Sequence, residues 1–218
     1  PPRDFTLEQL REFDGTDDKP IYVALCKEVF DVSKAADFYG VGSGYHCFAG
    51  REASRAMAKL SFEESELSNM VTDDLGPFER SNLEDWYEKF KHYKCYPVRG
   101  KVSVPPTPRD FTKAELQGFK GHQGVLEGRV DAGVYMAIKG NVLDVSYGGK
   151  EMYGEGGPYY RFAGLDASRA LGKMSFEPED VASSDLSDLT KEQLKVLDDW
   201  EKKFLASKKY PIVGRLVD

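Results

Sequence analysis

Phe48-Ala49-Gly50-Arg51-Glu52-Ala53-Ser54-Arg55-Ala56 and Phe162-Ala163-Gly164-Leu165-Asp166-Ala167-Ser168-Arg169-Ala170 are one nine-residue phrase written twice, 114 residues apart. From Tyr39 to Val102 the second copy runs without a gap at that offset, with 26 identities in 64 positions. Further out, Arg3-Asp4-Phe5-Thr6 returns as Arg109-Asp110-Phe111-Thr112, and Trp86 returns as Trp200. A gapless match of this length is a duplication, and its period is a domain length rather than a solenoid unit. The reading is therefore two domains, 1–102 and 109–218. Ser103-Val104-Pro105-Pro106-Thr107-Pro108 joins them, and three prolines in six residues make a stiff, extended connector. The one large length change is early: His122 to Gly133 is longer than Asp14 to Pro20.

Each copy reads as mixed α and β. Thr6 with Gln9, and Thr112 with Glu115, have capping-box spacing and open a short helix. Ile21–Leu25 and Val29–Val32 read as a hairpin, whose turn is clearer in the second copy as Lys139-Gly140-Asn141. A glycine-rich loop follows (Gly40 to Gly44; Gly154 to Gly157), then a short helix through Ala53–Leu60. The last helix places Leu83, Trp86 and Phe90 on one face, as it does Leu197, Trp200 and Phe204. Tyr96-Pro97-Val98 and Tyr210-Pro211-Ile212 then run extended. The predicted fold class is α+β, a small sheet flanked by short helices in each domain.

Composition excludes several functions. No stretch approaches the ~20 apolar residues of a membrane helix. The chain opens without Met or a signal-like run, as expected of a segment whose anchor lies outside it. Thirty Lys+Arg against 37 Asp+Glu leave a net charge of −7, with no basic block longer than Lys208–Lys209, which argues against nucleic-acid binding. Cys26, Cys47 and Cys95 are odd in number and lack C-x-x-C spacing, so neither a disulfide framework nor a zinc site is indicated.

A catalytic base shared by both copies cannot be histidine. Tyr160 and Ala206 stand opposite His46 and His92, and His122 lies in the divergent loop. The cysteines likewise face Lys139, Arg161 and Lys209. Phosphate-binding loops and nucleophile elbows are absent. What the copies share is tyrosine: Tyr39 and Tyr45 six residues apart around the glycine loop, Tyr153 and Tyr159 likewise, and Tyr96 with Tyr210. Such tyrosines serve either as half-buried packing with the hydroxyl satisfied or as phenols held at the mouth of a cleft, and spacing alone slightly favours the packing reading.

Taken together, Arg-Asp-Phe-Thr, Phe30-Asp31-Val32-Ser33, Phe38-Tyr39-Gly40, Gly44-Tyr45, Phe48 to Arg55 and the late Trp86 resemble the membrane-associated progesterone receptor family. That family is a branch of the cytochrome b5-like haem/steroid-binding fold. The second copy is similar over more of the pattern: Asp144-Val145-Ser146, Gly157-Pro158-Tyr159, Asp166-Ala167-Ser168-Arg169, Asp188-Leu189-Thr190 and Lys209-Tyr210. The resemblance covers nearly the whole chain twice, whereas such proteins usually carry one domain.

What the resemblance implies is a non-enzymatic module binding haem b. The His-Pro-Gly-Gly of true cytochromes b5 is missing, and the family pattern implies a tyrosinate ligand to iron, which falls on Tyr45 and Tyr159. Tyr39 and Tyr153 would line the pocket, and Lys209 with Tyr210 would support the haem. In the first copy Cys95 replaces that lysine, leaving Lys94 and Tyr96, and His46 or Cys47 could compete for iron; the second copy is the expected better site. The implied function is a tandem haem-binding adaptor or haem carrier for protein partners in a membrane-associated complex, with a sterol-like ligand implied by the family name alone. The alternative is a structural subunit of a larger complex with one or both pockets empty; electron transfer is disfavoured by the missing histidine pair. Free thiols and the family suggest a membrane-associated, cytosol-facing protein at the endoplasmic reticulum or mitochondrion.

Overall fold

The computed structural model describes residues 3–67, 69–121 and 133–217. The chain divides into two compact units, Pro1–Val104 and Pro105–Asp218. In the first unit the elements run β1 (Arg3–Phe5), α1 (Leu7–Leu10), β2 (Tyr22–Leu25), β3 (Glu28–Asp31), α2 (Ala36–Tyr39), β4 (Arg51–Glu52), α3 (Ser54–Ala58), α4 (Glu64–Leu67), α5 (Pro77–Glu88) and β5 (Val98–Val102). The second repeats them as β6 (Arg109–Thr112), α6 (Lys113–Leu116), β7 (Tyr135–Ile138), β8 (Asn141–Asp144), α7 (Ser146–Tyr153), α8 (Ser168–Lys173), α9 (Pro178–Ala182), α10 (Lys191–Lys202) and β9 (Ile212–Val217). Sheet order is β1-β5-β3-β2-β4 in one and β6-β9-β8-β7 in the other. The expected hairpins are antiparallel, and the edge strands β1 and β6 pair parallel to β5 and β9. Much of the loop between His122 and Gly133, His122 included, lies outside the described residues.

Local chemistry explains these elements. Thr6 and Gln9 exchange the two capping-box hydrogen bonds at 3.1 Å each, and Thr112 with Glu115 does the same. Strand alternation sends Val23, Leu25 and Phe30 to a core under α2, α3 and α5, and Ala24 and Val29 to a second core with Phe5 and Leu10. Gly100 and Gly214 are obligatory where the parallel strands meet: a Cβ there would stand 1.6 Å from the Arg3 or Arg109 carbonyl oxygen.

The repeated phrase that marks the duplication is a structural device. Arg55, its side chain only 8% exposed, reaches Glu66 and Asp74 at 2.5 Å each and donates to the Val71 carbonyl at 2.8 Å. Arg169 holds Asp180 at 3.0 Å, the Asp185 carbonyl at 2.7 Å and Asp188. One guanidinium thus ties α3, or α8, to the segment leading into the long helix. Asp74 and Asp188 are held below the ordinary carboxylate range, first by their hydrogen bonds to these arginines.

Candidate functional site

A tight loop after α2, and after α7, brings two tyrosines together. Tyr39 closes α2; the chain turns through Gly40–Gly44, and the Tyr45 N–H donates to the Phe38 carbonyl at 3.0 Å. In the second unit the Tyr159 N–H donates to the Met152 carbonyl at 2.8 Å. Each loop returns its second tyrosine beside the first: ring centroids are 6.0 Å apart for Tyr39 and Tyr45, and 5.8 Å for Tyr153 and Tyr159.

The third tyrosine arrives from the end of the long helix. Both α5 and α10 finish in a π-helical turn, Lys89–Tyr93 and Lys203–Ser207. A left-handed residue follows, Cys95 (φ 50°) or Lys209 (φ 51°), and the next N–H, of Tyr96 or Tyr210, caps the carbonyl of Phe90 or Phe204 at 3.0 Å. The widened turn and the cap bring the tyrosine to the inner one of the pair, directly in the second unit and across Phe90 in the first. Phe90 contacts Tyr39 and Tyr96 at 5.9 and 5.1 Å, and Tyr210 meets Tyr153 at 6.4 Å. A π turn recurring at the same place in both copies belongs to a class of irregularity found mostly at functional sites.

In the first unit these residues line a cleft of about 200 Å3, walled by Phe38, Tyr39, Tyr45, Trp86, Phe90 and Tyr96, with Lys89 and Lys94 at its edge. Lys89 sits 4.9 Å over Trp86, and Lys203 4.4 Å over Trp200, so each ammonium is pinned near an aromatic wall. Tyr39 and Tyr153 are buried, 5% and 7% exposed, while Tyr45 and Tyr159 remain half-exposed. Burial, reinforced by neighbouring tyrosines, pushes the Tyr39 and Tyr153 phenols well above their ordinary range, and burial alone raises Tyr96. The inner tyrosines are therefore neutral hydrogen-bond donors at any ordinary pH.

All six tyrosines singled out from the sequence thus converge, three in each unit. Lys209 is half-buried in the cap that precedes Tyr210. One expectation for the first unit changes. His46 and Cys47 do not line the cleft: the His46 Nδ1 lies 3.1 Å from the Tyr39 carbonyl oxygen on the Asp14 side, and Cys47 packs against the core near Arg51. The short 3-10 turn His46–Phe48 starts at Tyr45 and rotates the next two side chains off the cleft wall. Lys94, which the first copy retains beside Cys95, lines that cleft together with Lys89. Sequence reasoning passed over Lys89 and Lys203; the available signal was a lysine three residues after the tryptophan in both copies. In the second unit Gly149 makes room for Tyr210, whose hydroxyl would lie 2.8 Å from a Cβ there.

Comparison with known proteins adds to this geometry. Residues 6–94 and 115–217 each match the family model described as the cytochrome b5-like heme/steroid binding domain. Probable steroid-binding protein 3 of Arabidopsis thaliana is 58% identical over 108 residues, 50% of this chain and 98% of that protein. Cytochrome P450 regulator dap1 of Schizosaccharomyces pombe is 43% identical over 118 residues, 51% of this chain and 65% of that protein. Human membrane-associated progesterone receptor component 2 is 36% identical over 116 residues, 52% of this chain and 51% of that protein. The chain therefore spans nearly all of the first relative, but about half the length of the last. Among the described residues no helix is long and apolar enough to cross a membrane.

Proposed function

The chain belongs, twice over, to the cytochrome b5-like haem/steroid-binding domain family, in its membrane-associated progesterone receptor branch, and on that premise we propose that each unit is a non-catalytic module holding ferric haem through one tyrosinate. The observation that carries this reading is the convergence of three tyrosines in each copy, on one cleft in the first, with the outer tyrosine half-exposed and Tyr39 and Tyr153 kept neutral by burial. The donor set fits the group. Tyr45 and Tyr159 offer an anionic oxygen once deprotonated, and Tyr39 and Tyr153 are neutral donors able to hydrogen-bond it. Aromatic walls suit a flat macrocycle, and Lys89 and Lys94 suit its carboxylates. A phenolate is a hard donor that favours Fe(III) and lowers the reduction potential. Bound haem supplies a Lewis-acidic iron that makes loss of the phenol proton favourable near neutral pH. At about 200 Å3 the first cleft is smaller than the ~300–1,000 Å3 of typical ligand pockets, so a large ligand would keep one face in contact with solvent or another surface.

An open face suits carriage of haem or ligand-linked assembly with membrane-associated proteins better than fast electron shuttling. The relative named as a P450 regulator supports a partner-directed role of that kind. Pro158, Lys209 and the buried Tyr210 favour the second unit as the tighter site. Hemin titrated into the full chain tests the proposal. The expected result is a high-spin ferric spectrum of tyrosinate type. No Soret shift at near-stoichiometric hemin would overturn it and favour a structural subunit with empty pockets. A sterol that displaces hemin would identify a second occupant of the same cleft.

A further inference from the structure

Behind each outer tyrosine stands a ring that core packing does not account for. Phe62 is 57% exposed and Phe176 45% exposed, yet both stack in order. Phe62 lies 6.2 Å from Tyr45 and 5.6 Å from Phe48, with interplanar angles of 14° and 26°. Phe176 lies 5.7 Å from Tyr159 and 5.5 Å from Phe162, at 28° and 9°. Neither Phe48 nor Phe62 lines the first cleft, so this stack meets Tyr45 from outside it. The chain accepts strain to arrive there. Leu60 (φ 51°) and Met174 (φ 50°) are left-handed, non-glycine and exposed, and the next N–H, of Ser61 or Ser175, turns back to the Ala56 or Ala170 carbonyl at 2.9 Å. Each copy then ties this strap to the segment following its tyrosine, with a different arginine. Arg51 pairs with Glu64 at 2.7 Å in the first; in the second Arg161 donates to the Phe176 carbonyl at 2.9 Å and lies 5.3 Å from its ring. Two unlike tethers for one ring position suggest that the position itself is what matters.

We infer that Phe62 and Phe176 are positioning residues: each stacks on the ring of Tyr45 or Tyr159, in the first unit from outside the cleft, and fixes the direction in which its phenol oxygen points. The inference rests on the reading of those tyrosines as haem ligands, which it extends by one layer. Its test uses the full chain carrying Tyr45→Phe, so that the second unit is read alone. Phe176→Leu keeps an apolar side chain and removes the ring; Phe176→Tyr keeps the ring. Circular dichroism establishes that each variant is folded. With Phe176→Leu, flipping of the Tyr159 ring in the haem-free protein, followed by NMR, becomes faster and ferric hemin affinity falls about tenfold; Phe176→Tyr restores both. Tyr159→Phe runs in parallel. If Tyr159→Phe abolishes affinity while Phe176→Leu changes neither ring flipping nor affinity, the positioning role alone is wrong. If Tyr159→Phe leaves affinity intact, the ligand reading fails and the positioning role falls with it.

Discussion

A phenol binds iron strongly only after losing its proton, so on the proposed ligation burial divides the work among the tyrosines. Tyr153 is too deeply buried to ionise cheaply, and Tyr159 reaches the surface. Tyr159→Phe should therefore abolish tight ferric-haem binding by the second unit. Tyr153→Phe should cost about 1.5–3 kcal/mol, the worth of a hydrogen bond to a charged group; equal losses in a hemin titration would refute the division. Burial also ties stability to alkaline pH. Tyr135, stacked 4.3 Å from Phe119, has its phenol pushed up to about 12, first by burial and then by Asp144. Its folded-state value lies above the unfolded value near ~10. Between the two the folded chain keeps a proton that the unfolded chain has shed, so this contribution is whole below about pH 10 and is lost as pH rises. Urea midpoints should fall between about pH 10 and pH 12, and Tyr135→Phe should flatten that fall.

At the scale of elements, the two hairpins solve one turn with unequal chemistry. Lys139-Gly140 closes β7–β8 with φ of 50° and 79°, whereas Cys26-Lys27 closes β2–β3 with 51° and 66° and no glycine at all. A left-handed side-chain residue costs roughly 1–2 kcal/mol, so Lys27→Gly should stabilise the first unit by about 1 kcal/mol, less the added freedom of its unfolded chain. Chemical denaturation reads this directly, and an unchanged or lower midpoint would count against the strain. The arginine staples are the opposite case. Arg169→Ala leaves Asp180, with only 10% of its side chain exposed, without its guanidinium partner and frees the segment before α10. Thermal unfolding of the second unit should shift down by several degrees while its core contacts are untouched; no shift would make the staple ornamental.

For the whole molecule, each unit has its own sheet, its own two cores and its own tyrosine triad. We expect residues 105–218 expressed alone to fold, with native helix content by circular dichroism, and to take up hemin more tightly than residues 1–104. Stronger tyrosinate-type binding by the first half would reverse that ranking. Lys89 and Lys94 make the comparison a real contest, since the first cleft has its own cations.

Duplication, hairpins, capped helices and the α+β class were legible from the sequence because each rests on contacts a few residues apart or on repetition itself. Thr6 capping Gln9 and the turn at Lys139-Gly140 need no tertiary context. The tyrosine triads were half legible. Tyr39 and Tyr45 are neighbours through a short loop, but Tyr96 joins them only through the π turn that ends a helix packed across the sheet. The parallel pairing of Arg3–Phe5 with Gly100–Val102 was hidden, because a parallel strand's partner lies a whole domain away and leaves no local periodicity. Phe62, Phe176, Lys89 and Lys203 were visible as repeated letters without a role. Only the fold put a half-exposed ring behind a tyrosine and an ammonium over a tryptophan, since side-chain direction across a cleft is set by packing between distant segments. The same packing turned His46 and Cys47 away from the cleft, although they adjoin Tyr45 in the chain.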